Sequence, residues 1–323
     1  MFEFSFLFLI NLFFYFYFKP IVSILNCYDY PNRIRKIHKK KIAKVGGFLI
    51  IVNILIFYVI SFKSTIILKE ELFFTMGGIL FFLLGFFDDK LDINAYLKFF
   101  FQIIFLLLLV IVNNNFSINN IYISFLDKKI LLGQFSLFFT ILCCLLFINA
   151  FNMLDGINIS AGIYASLLLV FLYLHQNNVL YIILIIPLFF FLIKNYQNKL
   201  FLGNNGSYLL GFIISYFIID LNGTKVISVE EIFLVLIIPG LDMLRLYVQR
   251  IYNKKNPFKA DLNHLHHILL KKFSYNKAII LLLLILCVPI FLNYLFEDSK
   301  KIYLIIFVIF SYYSLIIYLL KKK

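Results

Sequence analysis

Apolar runs of roughly 17–23 residues recur from one end of this sequence to the other, each long enough for a helix to cross the hydrocarbon layer of a bilayer. Lipid offers the backbone no hydrogen-bond partner, so such runs are expected to be helical. Charged residues make up 14% of the chain, against about 25% in an ordinary soluble domain. A soluble core is excluded. The runs fall at 3–25, 45–62, 71–87, 95–112, 135–151, 159–174, 178–193, 207–222, 229–246, 276–294 and 301–320. They predict an all-α, polytopic membrane protein of about eleven transmembrane helices, forming one domain over residues 1–323.

Charge gives the expected sidedness. Counting Lys98, Arg245 and Lys301 with the adjoining loops and leaving Lys19 and Lys277 to the span edges, loops on one side carry 21 Lys and Arg and loops on the other carry 7. The richer side is expected to be cytoplasmic, which puts the N-terminus outside and Lys321-Lys322-Lys323 inside. All six Glu fall on the outer side, whereas Asp29, Asp88, Asp89, Asp92, Asp155, Asp242 and Asp261 fall on the inner. The net charge of +14 sits in loops that orient spans rather than on a soluble basic module, so no nucleic-acid partner is expected. Cys27, Cys143, Cys144 and Cys287 form no CxxC pair and suggest neither a metal site nor a disulfide. The first apolar run lacks a basic leader and a small-residue cleavage site, and reads as a first span. Ile121-Tyr122-Ile123 and Ile130-Leu131-Leu132 could pair as an outer hairpin.

Five polar clusters fall at the inner ends of spans. The first runs from Asp29 through Arg33, Arg35, Lys36, Lys39, Lys40 and Lys41 to Lys44, then Gly46-Gly47. Basic residues beside a membrane attract anionic lipid at about 1 kcal/mol per charge, and the paired glycines let backbones approach closely. The second is Gly85-Phe86-Phe87-Asp88-Asp89-Lys90-Leu91-Asp92. If that helix continues, Asp88 and Asp92 share a face beside Asp89, and such carboxylates need a cation. Mg²⁺ held through one or two carboxylates plus substrate phosphates would supply it; a solvated helix end is the plainer alternative. In the third, Asn149, Asn152 and Asp155 recur every third residue, followed by Gly156 and Asn158. Polar groups at that depth are costly and usually functional, though an interhelical network would also hold them.

The fourth cluster, Gly203-Asn204-Asn205-Gly206-Ser207, enters a span with free N–H groups suited to phosphate, or forms a turn with a Ser cap. The fifth holds Asp242, Arg245 and Arg250, then Asn256-Pro257-Phe258-Lys259-Ala260-Asp261 and His264, His266 and His267. No Cys or Glu completes a tetrahedral zinc set. Diphosphate binding by Arg, Lys and His is the better fit, against a metal tract or a crowded loop.

These clusters, in this order, resemble the polyprenyl-phosphate N-acetylhexosamine-1-phosphate transferase family, of the glycosyltransferase family 4 type. The similarity runs from about Asp29 to His267. The tail Pro257-Phe258-x-Ala260-Asp261-x-x-His264-Leu265-His266-His267 looks like the undecaprenyl-phosphate α-N-acetylglucosaminyl 1-phosphate transferase branch that serves O-antigen, enterobacterial common antigen and teichoic acid. It looks less like the phospho-N-acetylmuramoyl-pentapeptide transferase branch. The resemblance implies transfer of a sugar 1-phosphate from a UDP-sugar to a polyprenyl phosphate, releasing UMP, with Mg²⁺ (Mn²⁺ as substitute). The implied setting is the cytoplasmic face of the inner membrane, at the start of envelope polysaccharide synthesis. It also leaves a homodimer open.

By resemblance the catalytic residues are Asp88, Asp89, Asp155, His266 and His267. The metal ligands are Asp88, Asp89, Asp155 and Asn204. Substrate contacts fall to Asn149, Asn152, Asn158, Lys39, Arg250, His264, Gly203 and Ser207. Three positions depart from the family pattern. Asn204 stands where the family's Gly-Asp-x-Gly-Ser has a carboxylate, Asn158 replaces a second aspartate after Asp155-Gly156, and Lys41 and Ala43 stand where prolines often precede Gly46-Gly47. A secondary transporter with ions at mid-bilayer is the rival from another class, and an impaired homologue acting as an assembly partner is a third.

Overall fold

The structure, a computed structural model, describes residues 2–31, 40–61, 69–257 and 261–321. Lys39, the other basic residues between 32 and 38, and Phe258-Lys259-Ala260 lie outside the described residues. The chain is all-α apart from short strand pairs. Its helices are α1 (Phe2–Phe16), α2 (Phe18–Leu25), α3 (Gly46–Ser61), α4 (Lys69–Leu91), α5 (Ala95–Val112), α6 (Ser136–Leu154), α7 (Ser160–His175), α8 (Val179–Tyr196), α9 (Gly203–Gly223), α10 (Val229–Tyr252), α11 (Leu265–Lys272), α12 (Tyr275–Leu295) and α13 (Lys301–Leu320).

Every apolar run lands on a helix. Among the described residues, seven helical segments are long and apolar enough to cross a membrane, and an eighth if α1 and α2 count as one bent span. Helices α3 and α7 are apolar but shorter; 16 residues rise only about 24 Å, less than the hydrocarbon thickness. Helix α10 carries Glu230, Glu231, Asp242, Arg245 and Arg250 along its length.

The run 3–25 is not one straight helix: α1 and α2 meet at 79°. Pro20 has no N–H for the Phe16 carbonyl and its ring crowds that carbonyl, so the helix breaks at Tyr17. In α10, Pro239 similarly leaves the Val235 carbonyl without a helical donor, and the Tyr164 hydroxyl donates to it at 2.5 Å.

Helix α9 lies at the centre, its residues buried almost throughout. Glycines let α4 press against it. A Cβ at Gly77 would enter the Phe212 ring, and one at Gly85 would strike the Asn204 carbonyl group and come within 2.5 Å of Asn205 Cα. Gly78, one residue from Gly77, faces only Leu209 Cδ1 at 3.4 Å and Ile51 Cδ1 at 3.7 Å. Gly85→Ala is therefore expected to lower the thermal midpoint of the purified protein by several degrees, because backbone cannot yield as a side-chain tip can. Gly78→Ala should match or exceed the parent, since Ala favours helix over Gly by about 1 kcal/mol. Equal midpoints for the two variants would refute this packing.

A three-stranded sheet closes one end of the bundle. Strand β1 (Tyr28–Asp29) pairs antiparallel with β2 (Ile42–Lys44), which pairs parallel with β5 (Leu200–Phe201) just before α9. The expected hairpin forms from β3 (Asn120–Ile123) and β4 (Lys128–Leu131), with Ile121 opposite Ile130.

Candidate active site

The small sheet, the last turn of α4, the first turn of α9 and the end of α6 enclose a cavity of about 920 Å³. Each wall follows from a helix end. Gly203 takes φ +74°, and a Cβ there would come within 2.7 Å of Asp89 Oδ2, so glycine is required where α9 begins. Gly47, opening α3, donates its N–H to Asn205 Oδ1 at 2.9 Å. The glycine pairs read from the sequence thus bring three helix termini together.

The paired aspartates part company. Asp89 lines the cavity, its Oδ2 accepting from the Asn205 backbone N–H at 3.0 Å and from Asn205 Nδ2 at 2.7 Å. Lys44 Nζ lies 3.1 Å from Asp29 and 3.6 Å from Asp89, so one ammonium serves two carboxylates. Asp88 lies behind that wall. Its Oδ1 takes Lys98 Nζ at 2.8 Å and the Ile93 N–H at 3.1 Å, and its Oδ2 takes Asn204 Nδ2 at 2.8 Å and the Tyr208 hydroxyl at 3.2 Å. Four donors saturate it. The helix does not continue to Asp92 as the shared-face reading required. It ends at Leu91, and Asp92 is exposed with φ +51°.

The polar stripe on α6 divides in the same manner. Asn152 and Asp155 line the cavity, and the Ser207 hydroxyl donates to Asn152 Oδ1 at 2.5 Å. Asn149 turns away and donates to Gln102 Oε1 on α5 at 2.8 Å. Asp155 caps α6, and its carboxyl is pushed up to about 7 by burial and then by the charge of Asp89, against the opposing pull of Lys44. Asn158 donates to the Asn195 carbonyl at 3.0 Å and to Asn198 Oδ1 at 2.6 Å. These amides, with Gln197, Lys199 and Tyr275, form a wall at the cavity's far side.

Of the three histidines, only His267 lines this cavity. His266 is buried with its ring against Gly156, where a Cβ would overlap Nε2 and Cε1. The His264 and His266 rings stack with centroids 5.4 Å apart, and those of His266 and His267 stand 4.1 Å apart. Burial pushes His264 down to about 4 and holds His266 and His267 below the ordinary imidazole range. Burial thus disfavours the charged imidazolium in all three, which suits hydrogen-bonding groups rather than fixed cations. Arg250 does not reach the cavity. It donates to Asp261 Oδ2 at 2.9 Å and to the Pro257 carbonyl at 2.6 Å, closing the loop after α10.

Among the described residues, no group of three His, Cys, Asp or Glu side chains could by itself hold a metal ion. The donor set still suits Mg²⁺, which is often bound by one or two carboxylates while substrate phosphates and water complete its shell. Asp89 and Asp155 face one cavity and raise each other's cost of ionisation. Asn204 spends its amide nitrogen on Asp88, which leaves its oxygen for the cavity. Sequence reasoning did not single out Lys44, Asn205, Asn195, Asn198 and Lys98 as site residues. Asn205 and Lys44 lay inside clusters already noted; Asn195, Asn198 and Lys98 carried no spacing that marked them.

The family model described as glycosyl transferase family 4 matches residues 72–222, from α4 through α9. That segment holds Asp88, Asp89, Asn152, Asp155 and Asn204, and so most of the cavity wall. The undecaprenyl-phosphate α-N-acetylglucosaminyl 1-phosphate transferase of Escherichia coli (strain K12) is 26% identical over 293 residues, covering 86% of this chain and 78% of the relative. The enzyme of the same name from Yersinia pestis is 25% identical over 304 residues, covering 87% and 80%. The probable undecaprenyl-phosphate N-acetylglucosaminyl 1-phosphate transferase of Bacillus subtilis (strain 168) is 26% identical over 304 residues, covering 90% and 83%.

Proposed function

We propose that this protein transfers an N-acetylhexosamine 1-phosphate from a UDP-sugar to a polyprenyl phosphate and releases UMP. The observation that carries the reading is convergence: Lys44, Asp89, Asn152, Asp155, Asn204 and His267 come from all five polar clusters and line one cavity. The names of the relatives supply the acceptor class and the transferred sugar phosphate. In the full arrangement the eleven apolar runs, α1 and α2 together making the first, span the inner membrane with the N-terminus outside, and the cavity opens at the cytoplasmic leaflet. The reaction opens a cell-envelope polysaccharide.

Phosphoryl transfer asks mainly for positioning and charge neutralisation. Lys44 supplies a cation beside the diphosphate, and the Asn152 and Asn158 amides orient the donor. A lipid phosphate oxygen attacks the β-phosphorus, and His267, neutral, donates a hydrogen bond to the departing UMP. Asp89 and Asp155 would hold Mg²⁺, with Asn204 contributing an oxygen; the ion would draw charge from the diphosphate as the bond breaks. Asp88 acts behind the cavity, fixing Lys98, Asn204 and Tyr208.

The test is the formation of a butanol-extractable, Mg²⁺-dependent lipid from radiolabelled UDP-N-acetylglucosamine and undecaprenyl phosphate in membranes expressing the chain. No labelled lipid from any UDP-N-acetylhexosamine would overturn the reading. The same assay decides whether Asn204 marks an impaired homologue. Asn204 donates to Asp88 at 2.8 Å, so Asn204→Asp sets two carboxylates against each other. Activity is expected to stay level or fall. A rise of about tenfold or more, on the order of 1.4 kcal/mol, would support impairment.

A further inference from the structure

The histidine segment reaches the cavity from outside the family-matched core, and something must hold it there. Helix α11 has eight residues, too few to be stable alone. Its first backbone N–H, at Leu265, is taken by Asp242 Oδ2 on α10 at 3.1 Å. Arg245 Nη2 donates to Asp242 Oδ1 at 2.7 Å and to the Asn263 carbonyl at 2.6 Å, tying the preceding residues to the same carboxylate. The Tyr312 hydroxyl, on α13, closes the set: it donates to Asp242 Oδ1 at 2.8 Å and accepts from Arg245 Nε at 3.3 Å.

Two further contacts fix the geometry of α13. Lys301 Nζ lies 2.9 Å from Glu231 Oε1, both buried. The pairs Glu231–Lys301 and Asp242–Tyr312 are each separated by 70 residues in sequence. Helices α10 and α13 therefore run parallel and in register, joined at two points about three turns apart on one face. At the other end of α11, Lys272 Nζ donates to the carbonyls of Tyr318 at 3.0 Å and Lys321 at 3.1 Å. Six residues of α13 rise about 9 Å from Tyr312 to Tyr318, and seven steps of α11 rise about 10 Å from Leu265 to Lys272. The two anchors match the length of the segment they hold.

We infer that Tyr312 is a positioning residue for the transfer reaction: its hydroxyl fixes the Asp242 carboxylate, and through it the start of α11, so that His266 stands against Gly156 and His267 at the cavity. Tyr312 does not line the cavity. It acts from the last helix of the chain, 3% exposed, on a segment that begins 47 positions earlier. The rate argument rests on the transferase reading above; the structural argument does not.

Tyr312→Phe keeps the ring and removes only the hydroxyl. Tyr303→Phe, on the same helix and 72% exposed, is the control. In detergent-purified full-length protein, amide hydrogen exchange over residues 262–272 is expected to rise about tenfold in Tyr312→Phe, the loss of one hydrogen bond to a charged group. It should stay unchanged in Tyr303→Phe. With UDP-N-acetylglucosamine and undecaprenyl phosphate, kcat should fall about tenfold while KM for the nucleotide sugar moves less than about twofold, since misplaced groups cost the reaction more than binding. Unchanged exchange would overturn the inference, as would raised exchange with unaltered kcat. If the parent protein transfers no sugar phosphate at all, the functional reading fails, and the exchange result alone decides whether Tyr312 holds the segment.

Discussion

Gly156→Ala is expected to reduce lipid-linked sugar formation by about a hundredfold or more while leaving the membrane helices folded. The glycine follows Asp155, and a Cβ there would overlap Nε2 and Cε1 of His266 and come within 2.8 Å of its Cδ2. A planar ring cannot bend away as an alkyl tip can, so the imidazole has to move as a body. Its retreat is blocked: His264 stacks on it with centroids 5.4 Å apart, and Asp242 holds the Leu265 N–H immediately before it. The relief available is to push α11 or the 155–159 turn aside, and either shifts His267 relative to Asp155. A displacement near 1 Å at a reacting centre costs on the order of a hundredfold in rate. The turn and α11 both lie at the bundle's edge, so global stability should change little. The check is transfer activity at saturating substrate set against the thermal midpoint. Activity within about threefold of the parent would mean that His266 need not occupy its place against the turn. Residual activity should return in part with His266→Ala added, which makes room for the new methyl.

How far the sequence foretold this arrangement depends on which physics was local. Helices were legible because lipid imposes one requirement on every span, and each apolar run lands on a helix. The bend at Tyr17 was readable in principle from Pro20, but a hydrophobic run masks a break that changes no hydropathy. The five clusters were recognised by residue type, which does not say which way a side chain turns. Asp88 and Asp89 are neighbours on a helix, about 100° apart, so one faces the cavity while the other faces Lys98 and Tyr208. Asn149 and Asn152 lie only about 60° apart on α6, and there a partner separates them, Gln102 on α5 taking the first. Arg250 looked like a phosphate ligand because its cluster was basic, yet Asp261 and the Pro257 carbonyl satisfy it. Partners decide such cases, and partners distant in sequence leave no spacing to read. Tyr312 is the extreme case: it is one of six hydroxyl residues in its run, between Ser311 and Tyr313, and nothing local tells it from them.

The same division between cavity wall and backing gives the aspartate pair separable phenotypes. Asp89→Asn is expected to lower transfer by about a thousandfold, the scale seen when a preorganised charge at a reacting centre is removed. Two effects add. An amide supplies no charge to a bound Mg²⁺ ion, and its NH₂ group accepts nothing: at the Oδ2 position it loses both Asn205 donors, and at the Oδ1 position it faces the Lys44 ammonium, so the site loses one fastening or the other. Asp88→Asn removes a charge that four donors surround, away from the cavity. It leaves the half-buried Lys98 against a neutral group and loosens Asn204, so it too should be severely impaired. The distinction lies in the metal dependence. Loss of Asp89 should raise the Mg²⁺ concentration needed for half-maximal activity by about tenfold or more. Loss of Asp88 should lower the maximal rate and the thermal midpoint with little change in that concentration, because its contacts are to protein. Titrating Mg²⁺ against residual activity in both variants, with melting curves alongside, separates a residue that faces the ion from one that braces its neighbours. Should the Mg²⁺ requirement shift for Asp88→Asn and not for Asp89→Asn, the assignment of wall and backing would be reversed.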